Sequence, residues 1–409
     1  MRSVNASALT GATIRDVHPA VPFPITGPGA LAALDGLTRS LCAGLTSRPQ
    51  ALIVVGAGFD GRPWAGRALA TFRDMNVTTH RHVGTITPAT VVSLWRLLRA
   101  HHIDVVIGLG GGTVMDAAKA ASALAGIDNL GEAELIEACI HGIPASTSIP
   151  IIAVPTTPGT GAEVTPFATV WDVAGGRKLS LAGPGLRPQA SILDPDLLGG
   201  LGRTALAGAA LDTICQAAEA AWSVRSTPAS IAYGLTALGL IGSALERVEK
   251  DDLGTADLLA LLLAGHHSGH AIAIAPTSSC HALSYPLTLR LGLSHGHACG
   301  VTFSRMLNHN AAITDVDCHD PRGPQHVRTV LDRVAESLGL ASPGQAAERI
   351  DRFLAECGLP HLGDLPITAE SLVAEALSYP RCHDNPRRLD GPVLTRLLTS
   401  PVGREELCP

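Results

Sequence analysis

Four residues in the second half of the chain have the types and the spacing of a divalent-metal site. Asp212 and Gln216 lie four positions apart in an alanine-rich segment that predicts a helix, so both side chains project from one helix face. His281 and His295 follow, and we expect them to complete the site from a second helix and from the turn after it. Fe²⁺ and Zn²⁺ accept such mixed oxygen and nitrogen ligands.

The chain that must position these residues is too long for one hydrophobic core, which indicates two domains. Its 409 residues are 46% apolar and 16% charged, a composition that supports buried helices and argues against disorder. The formal net charge is −6, and no block of lysine or arginine stands out. We therefore expect neither nucleic acid nor an anionic membrane as a partner.

Targeting signals and cysteine usage predict a cytoplasmic protein. The first residues lack the apolar core of a signal peptide, and we expect no apolar run long enough to cross a bilayer. Nine cysteines are scattered without Cys-x-x-Cys pairs, which favours reduced thiols over a disulfide framework.

Two patterns of hydrophobicity divide the chain. Apolar, β-branched runs at 51–55, 103–110 and 150–157 alternate with helical segments, which predicts a parallel sheet flanked by helices. Beyond about Asp194, after the last predicted strand, helical periodicity dominates. The helices predicted there are 206–222, 228–248, 255–273, 296–313, 324–339, 344–357 and 368–377. We therefore predict an α/β, Rossmann-like domain over residues 1–198 and an all-helical domain over residues 199–409.

A glycine-rich turn, GLGGGTVMDAAKA, joins a predicted strand to a predicted helix. Gly111 and Gly112 allow the backbone to approach a pyrophosphate, and the helix N-terminus supplies amide donors. We expect Thr113 to cap this helix and Asp116 to lie in its first turn. A plain glycine turn is the alternative, but the strand–turn–helix context favours phosphate binding.

A second loop, PTTPGTGAEVT, follows the next predicted strand. Thr156, Thr157 and Thr160 offer hydroxyls at a strand end, where ligands bind in open α/β sheets. The loop is either the second wall of the same cleft or a structural loop. The segment GAGFDG matches the dinucleotide fingerprint only weakly. It is either a turn near the adenosine end of a cofactor, with Arg62 on a 2′-phosphate, or a plain loop.

Taken in order, GGGTVMDAAK, PTTPGTGAEVT, SILDPDLL, DTICQAAEA, HALSYPL and LSHGHACG resemble motifs of the iron-containing (group III) alcohol dehydrogenases. The resemblance extends from Gly27 to Asn385. It implies a Rossmann-like domain that binds NAD(P), a helical domain that binds Fe²⁺ or Zn²⁺, and the dehydroquinate synthase-like architecture. It also implies a homodimer and reversible hydride transfer between NAD(P)H and a small aldehyde.

The resemblance assigns ligands residue by residue. The cofactor-binding residues that it implies are Gly111, Gly112, Thr113, Asp116, Thr156, Thr157, Thr160 and Lys178, the last at the nicotinamide-side ribose. The metal ligands that it implies are Asp212, Gln216, His281 and His295.

This sequence departs from the family at the metal site. Gln216 stands where the family usually has histidine, and an amide oxygen is a poorer ligand than imidazole. Tyr285 stands where many members carry another histidine. Weaker metal binding is one consequence, and a metal-free enzyme similar to the maleylacetate reductases is another. A third departure is Gly56, which replaces an acidic residue of many NAD-using members and leaves room for the 2′-phosphate of NADPH.

Several candidates remain for proton delivery and for the substrate. Tyr285 and His297 are candidate proton donors, with a structural role as the alternative for each. The string TPFATVWDVAGGRKLSL is similar to members that reduce phosphonoacetaldehyde to 2-hydroxyethylphosphonate, and a phosphonate needs fixed cations or amide donors. The candidate phosphonate ligands are Arg290, His297, Arg381, His383 and Arg387. The alternatives are unfunctionalised aldehydes, lactaldehyde-like diol precursors, maleylacetate, and a nucleotide-binding pseudoenzyme.

Overall fold

The first half of the molecule is built on parallel strands. The computed structural model describes residues 24–45, 48–72, 75–143 and 148–399. Its strands are β1 (Ile25–Thr26), β2 (Gln50–Gly56), β3 (Asn76–His82), β4 (Val105–Gly110), β5 (Ile151–Pro155), β6 (Phe167–Asp172), β7 (Arg177–Ala182) and β8 (Ala190–Leu193). Six of them form a sheet in the order β1-β8-β5-β4-β2-β3, in which all neighbours run parallel. β6 and β7 form a separate antiparallel hairpin.

Helices cover both faces of this sheet. They are α1 (Leu34–Leu41), α2 (Ala65–Ala70), α3 (Pro88–Ala100), α4 (Gly112–Ala123) and α5 (Glu132–His141). The central strands β2, β4 and β5 are almost wholly buried, because a parallel sheet covered on two faces requires continuous apolar strands. One core lies beneath α3, α4 and α5, and the other lies beneath α1 and α2. In sheets of this kind ligands bind at the carboxyl ends of the strands, so we expect a ligand there.

The second half is helical. Its helices are α6 (Arg203–Trp222), α7 (Pro228–Gly242), α8 (Leu245–Lys250), α9 (Thr255–Ile274), α10 (Ser279–Leu291), α11 (His295–Ala311), α12 (Pro324–Ser337), α13 (Pro343–Glu356), α14 (Ala369–Ser378) and α15 (Gly391–Thr399). The predicted fold class is confirmed. The predicted domain boundary at 198/199 falls between β8 and α6 and stays a prediction, and residues 1–23 and 400–409 of the two predicted domains lie outside the described residues.

The hairpin of β6 and β7 was not predicted from the sequence. In β6 the buried residues alternate with half-buried ones, and Ala168 and Val170 point into the core. This period-two pattern covers only six residues and adjoins a loop rich in threonine and glycine, so the signal is weak. The hairpin matters for function because β7 carries Lys178.

One apolar segment contradicts an expectation from the sequence. Within the described residues, Pro228–Lys250 is long and apolar enough to cross a membrane, so the prediction that no run has that length was wrong. In the fold this segment is divided into α7 and α8, whose buried side chains belong to the core of the helical half. Helices α9 and α10 pass the same test only as a pair, and they meet at an angle of 110°.

Glycines let the helices around α6 approach one another closely. A methyl group at Gly296, in the first turn of α11, would overlap the carbonyl oxygen of Gly208 and lie 2.9 Å from Cβ of Asp212. Gly161, in the loop after β5, has a φ of +60° and contacts the backbone of Gly269 in α9. These contacts bring α11 against α6, and the loop after β5 against α9, at backbone distance, so short side chains on α6 and α11 can meet.

We predict that Gly296→Ala destabilises the protein by about 1–3 kcal/mol, the usual cost of an overpacked site, because the new methyl group collides with rigid backbone. Urea unfolding measures this change. The matched control is Gly239→Ala in α7, where a new methyl group would lie 3.8 Å from the carbonyl oxygen of Ser337. That control should be neutral or stabilising by up to about 1 kcal/mol, since alanine favours helix over glycine. Equal effects of the two substitutions would contradict the packing argument.

Candidate active site at the meeting of the two halves

The two loops predicted to bind phosphate form one surface at the carboxyl ends of β4 and β5. β4 ends at Gly110 and α4 begins at Gly112. A Cβ atom at Gly111 would lie 3.1 Å from Oγ1 of Thr157, and one at Gly112 would lie 2.8 Å from Cγ2 of Thr160. Glycine at both positions therefore keeps the loops in contact in front of the α4 N-terminus, whose unpaired amides attract phosphate. The arrangement fits the pyrophosphate of a nicotinamide dinucleotide.

Two details of α4 differ from the predictions. Its N-cap residue is Gly111, so Thr113 lies inside the first turn and does not cap the helix. Asp116 lies beyond the first turn, and its carboxylate accepts hydrogen bonds from Nζ of Lys119 at 3.1 Å and from the Thr169 amide at 2.9 Å. Both predictions were wrong because the helix begins at the last glycine rather than after it. Asp116 thus anchors β6 to α4, and its contact with cofactor stays a prediction.

The GAGFDG segment leads from β2 into a short 3₁₀ turn, Phe59–Gly61, and not directly into a helix. In the dinucleotide fingerprint the glycine loop opens a helix at once. The guanidinium of Arg62 donates a hydrogen bond to the carbonyl oxygen of Gly200 at 3.1 Å, in the connection before α6. The 2′-phosphate contact of Arg62 stays a prediction.

Four donor side chains from three helices converge in the helical half. They are Asp212 on α6, His281 on α10, and His295 and Cys299 on α11, and their ligand atoms all lie within 4.8 Å of one another. Oδ1 of Asp212 lies 3.5 Å from Nε2 of His281 and 3.8 Å from Nε2 of His295. The same Oδ1 is buried without a hydrogen-bond partner, which is costly unless a cation lies beside it. The donor set therefore fits Fe²⁺ or Zn²⁺.

Glu219 orients one of these imidazoles. Its fully buried carboxylate accepts hydrogen bonds from Nδ1 of His281 at 2.5 Å, from the Cys280 amide at 2.6 Å and from Oγ of Ser278 at 3.0 Å. Burial raises the pKa of Glu219, but the interaction with His281 outweighs burial and lowers it. Since Nδ1 bonds to Glu219, Nε2 is the ring nitrogen that faces Asp212, at 3.5 Å from its Oδ1. A carboxylate behind a histidine ligand is the usual arrangement in metal sites.

The donor cluster has perturbed proton affinities. Burial lowers the pKa of His281 and of His295, but the neighbouring Cys299 and carboxylates raise both pKa values above the ordinary one. Burial raises the pKa of the Cys299 thiol, and the two imidazoles outweigh it and bring the pKa to about 7. His295 keeps 40% of its side-chain surface accessible, so the cluster is open on this side. Positive charge, from protons on the imidazoles or from a metal ion, stabilises the carboxylate and the thiolate of this cluster.

Two predicted site residues make their contacts outside this cluster. Gln216 lies one turn after Asp212 on α6 and is buried, and its carbonyl oxygen accepts a hydrogen bond from Oγ of Ser268 at 2.9 Å. Nε2 of His297 donates to the carbonyl oxygen of Pro360 at 2.8 Å. Metal binding by Gln216 and proton transfer by His297 stay predictions.

Tyr285 connects the donor cluster to two cations. Its ring lies parallel to that of His295, with centroids 6.4 Å apart and an interplanar angle of 7°. Its hydroxyl accepts a hydrogen bond from Nζ of Lys178 at 3.0 Å. Cζ of Arg381 lies 5.6 Å from the ring centroid, and Nη1 of Arg381 donates to Oγ1 of Thr277 at 2.6 Å. Since Lys178 comes from β7, this contact joins the two halves of the molecule. The ribose contact of Lys178 stays a prediction.

Sequence reasoning missed two residues of the site. Cys299 follows His295 by four positions, and Glu219 follows Asp212 by seven. These are the one-turn and two-turn spacings of a single helix face. A search of the two predicted helix faces for further donor residues would have found both.

A phosphate cradle at strand ends and a carboxylate–imidazole cluster define a dinucleotide- and metal-dependent oxidoreductase. The family model for iron-containing alcohol dehydrogenase matches residues 24–195, and the C-terminal model of the Fe-containing alcohol dehydrogenase family matches residues 206–398. The chain belongs to the iron-containing alcohol dehydrogenase family. It is an enzyme that uses NAD(P) and a divalent metal to interconvert an aldehyde and an alcohol.

Individual relatives agree with this assignment. The chain is 52% identical over 390 residues to the phosphonoacetaldehyde reductase of Streptomyces viridochromogenes, which covers 93% of this chain and 98% of that protein. The NAD⁺ complex of sulfoacetaldehyde reductase from Bifidobacterium kashiwanohense has a similar fold, with a TM-score of 0.78 at 24% identity over 91% of this chain and 95% of that one. The iron-containing alcohol dehydrogenase of Thermococcus thioreducens gives a TM-score of 0.77 at 20% identity, covering 92% of this chain and 97% of that one.

We predict that Glu219→Gln weakens metal binding by roughly 10- to 100-fold, the usual effect of losing a partner behind a ligand. An amide cannot accept all the hydrogen bonds that the carboxylate now accepts, so the His281 ring loses its fixed orientation. Competition with a chelator measures the affinity independently of activity. Glu163→Gln is the matched control, because Glu163 is also buried and bonded to a histidine, His266 at 3.2 Å, outside the donor cluster. The role of Glu219 is refuted if both variants retain metal equally.

Proposed function

We propose that this enzyme reduces phosphonoacetaldehyde to 2-hydroxyethylphosphonate with NAD(P)H. The observation that carries the proposal is the pair of cations at the Tyr285 ring. Nζ of Lys178 lies 4.4 Å from the ring centroid, and Cζ of Arg381 lies 5.6 Å from it. Within the described part of the chain, neither cation forms an ion pair with a carboxylate. Cations without carboxylate partners beside a carbonyl-reducing site favour a substrate that carries its own anion.

The spacing of the groups supports a short substrate. The Tyr285 ring contacts both cations, and its centroid lies 6.4 Å from that of the His295 ring in the donor cluster. A small molecule with an aldehyde at one end and an anion at the other can therefore contact both. In phosphonoacetaldehyde a single methylene group separates these two ends. The phosphonoacetaldehyde reductase of Streptomyces viridochromogenes, 52% identical to this chain, supports the same choice.

The state of Tyr285 reflects the positive potential of this region. Burial raises the pKa of its hydroxyl, but the charges of Arg381, Lys178 and His281 outweigh burial and bring the pKa down to about 8. The same potential stabilises a phosphonate dianion. Tyr285 is also the better proton donor of the two candidates, because the ring nitrogen of His297 is already bonded to Pro360.

The other cations suggested by the sequence are engaged or placed elsewhere. Arg290 bonds to Glu375 at 2.5 Å on the protein surface. Arg387 bonds to Asp317 at 2.7 Å and to the carbonyl oxygen of His309 at 2.6 Å. His383 is exposed. Arg381 is thus the candidate from that set that meets Tyr285.

Each half of the molecule has its own part in the proposed reaction. When bound, the metal polarises the aldehyde oxygen and the reduced nicotinamide supplies the hydride. Asp212, His281 and His295 hold the metal. The proposed cofactor contacts are Gly111, Gly112, Thr113, Asp116, Thr156, Thr157, Thr160 and Lys178. Since the cations and Tyr285 fix the substrate between these groups, orientation is the main contribution of the protein.

We also propose that NADPH is accepted alongside NADH and that the enzyme is a cytoplasmic homodimer. A Cβ atom at Gly56, the end of β2, would have Val114 at 3.8 Å as its contact, which leaves space for a 2′-phosphate. The eight cysteines of the described residues are free, which suits a reducing compartment. The homodimer follows from the family resemblance.

A substrate panel tests the proposal directly. Purified, metal-loaded enzyme is assayed by NADH and NADPH oxidation with phosphonoacetaldehyde, sulfoacetaldehyde, lactaldehyde, propanal and maleylacetate. We expect the highest kcat/KM for phosphonoacetaldehyde and the lowest for the uncharged aldehydes. Equal kcat/KM values for propanal and phosphonoacetaldehyde would reject the anion-binding role of the cations. A preference for sulfoacetaldehyde would retain that role and reject the named substrate.

We predict that Arg381→Met raises the KM for phosphonoacetaldehyde by roughly 10- to 150-fold, which corresponds to the about 1.5–3 kcal/mol of a hydrogen bond to a charged group. Methionine retains much of the apolar contact of the arginine with Tyr285 but has no charge. The kcat/KM for propanal should change little, because propanal has no anion. Arg290→Met is the control, since this surface arginine is paired with Glu375. A parallel loss with both substrates would mean that Arg381 acts on the fold or on Tyr285 instead.

A further inference from the structure

The fourth protein ligand of the metal is not evident from the family pattern, because position 216 holds an amide. Only the carbonyl oxygen of Gln216 can bind a metal, and this atom already accepts a hydrogen bond from Ser268 at 2.9 Å. Ser268 is fully buried and lies on α9, so this contact holds the amide against a neighbouring helix. The contact described for the Gln216 amide is therefore with α9.

Cys299 lies inside the donor cluster. It is fully buried, one helical turn after His295, and its Sγ lies 3.9 Å from Nε2 of His295. Its sulfur is also one of the four ligand atoms that lie within 4.8 Å of one another, together with those of Asp212, His281 and His295. The thiol thus completes a compact set of donors contributed by three helices.

The distances agree with the size of a tetrahedral site. Zinc–nitrogen and zinc–oxygen bonds of about 2.0–2.2 Å and a zinc–sulfur bond of about 2.3 Å place tetrahedral ligands roughly 3.4–3.6 Å apart. The separations observed here are 3.5 Å for Asp212 and His281, 3.8 Å for Asp212 and His295, and 3.9 Å for His295 and Cys299. The other pairs of ligand atoms lie within 4.8 Å, so a contraction of the cluster would bring all four atoms to bonding distance of one ion.

We propose that the thiolate of Cys299, rather than the amide of Gln216, is the fourth protein ligand of the metal. This inference rests on the proposed metal site of Asp212, His281 and His295. The ligand set becomes one carboxylate, two imidazoles and one thiolate. Two anionic ligands balance a divalent ion, and sulfur favours Fe²⁺, Co²⁺ or Zn²⁺ over Mg²⁺ and Mn²⁺.

Cobalt substitution tests this proposal without an activity assay. The protein is stripped with a chelator and titrated with Co²⁺, whose visible absorption reports binding and whose near-ultraviolet charge-transfer band reports a thiolate ligand. We expect both signals in the wild type. Cys299→Ala should lose the charge-transfer band, while Gln216→Ala should keep it. Cys215→Ala is the matched control, because Cys215 is equally buried, on α6, and outside the donor cluster.

Metal affinity gives a second measurement. We expect Cys299→Ala to lose more than the roughly 10- to 100-fold in affinity that accompanies removal of a partner behind a ligand. Gln216→Ala should change the affinity less than Cys299→Ala does. Near-ultraviolet circular dichroism and NAD⁺ binding establish that each variant is folded.

The outcomes separate the two proposals. Visible cobalt bands without a thiolate band in the wild type would overturn the role of Cys299 and leave the metal site standing. Loss of affinity in Gln216→Ala but not in Cys299→Ala would assign the fourth ligand to the amide. Failure of the wild type to bind Co²⁺, Fe²⁺ or Zn²⁺ would reject the metal site itself, and the thiolate ligand with it.

Discussion

The hydrogen bond between Glu219 and His281 is the interaction on which the site depends. A carboxylate without solvent contact is costly to bury, and here three donors and an adjacent imidazole compensate for that cost. In return the bond fixes the direction of the His281 ring. Its Nε2 then faces Asp212, whose Oδ1 is buried without a hydrogen-bond partner. Glu219 thus orients His281 before any metal ion binds.

Close backbone packing at glycines brings His295 to Asp212. Gly296 and Gly208 allow α11 to cross α6 so closely that the first residue of α11, His295, reaches Asp212. Gly161 and Gly269 bring the loop after β5, which we propose binds phosphate, against α9. This loop and the donor cluster are therefore both held by close backbone contacts with the helical half.

The charge distribution of the site follows from its two-sided construction. The donor cluster combines a carboxylate and a thiol with imidazoles, whereas two cations from different halves of the molecule contact the Tyr285 ring. The hairpin of β6 and β7, which lies outside the main sheet, places Lys178 beside Tyr285. A small substrate with an anion at one end and an aldehyde at the other would therefore bind in one orientation, with its anion at the cations and its aldehyde at the donor cluster.

The sequence by itself determined the parallel sheet, the helical second half and the glycine-rich turn between β4 and α4. It also named Asp212, His281 and His295, whose side chains converge in the structure, while their binding of a metal stays a prediction. These features follow from local periodicity and spacing, which act over a few turns or strands. Cys299 and Glu219 share helix faces with predicted ligands, so spacing contained their signal.

Only the tertiary structure decided the remaining features. Gln216 contacts Ser268, 52 positions away, and His297 contacts Pro360, 63 positions away. Lys178 and Arg381, more than 200 positions apart, both contact the ring of Tyr285. Such pairings depend on how the helices and the hairpin pack, and no local pattern specifies that packing. For the same reason the sequence could name Arg381 among five cations but could not place it beside Tyr285.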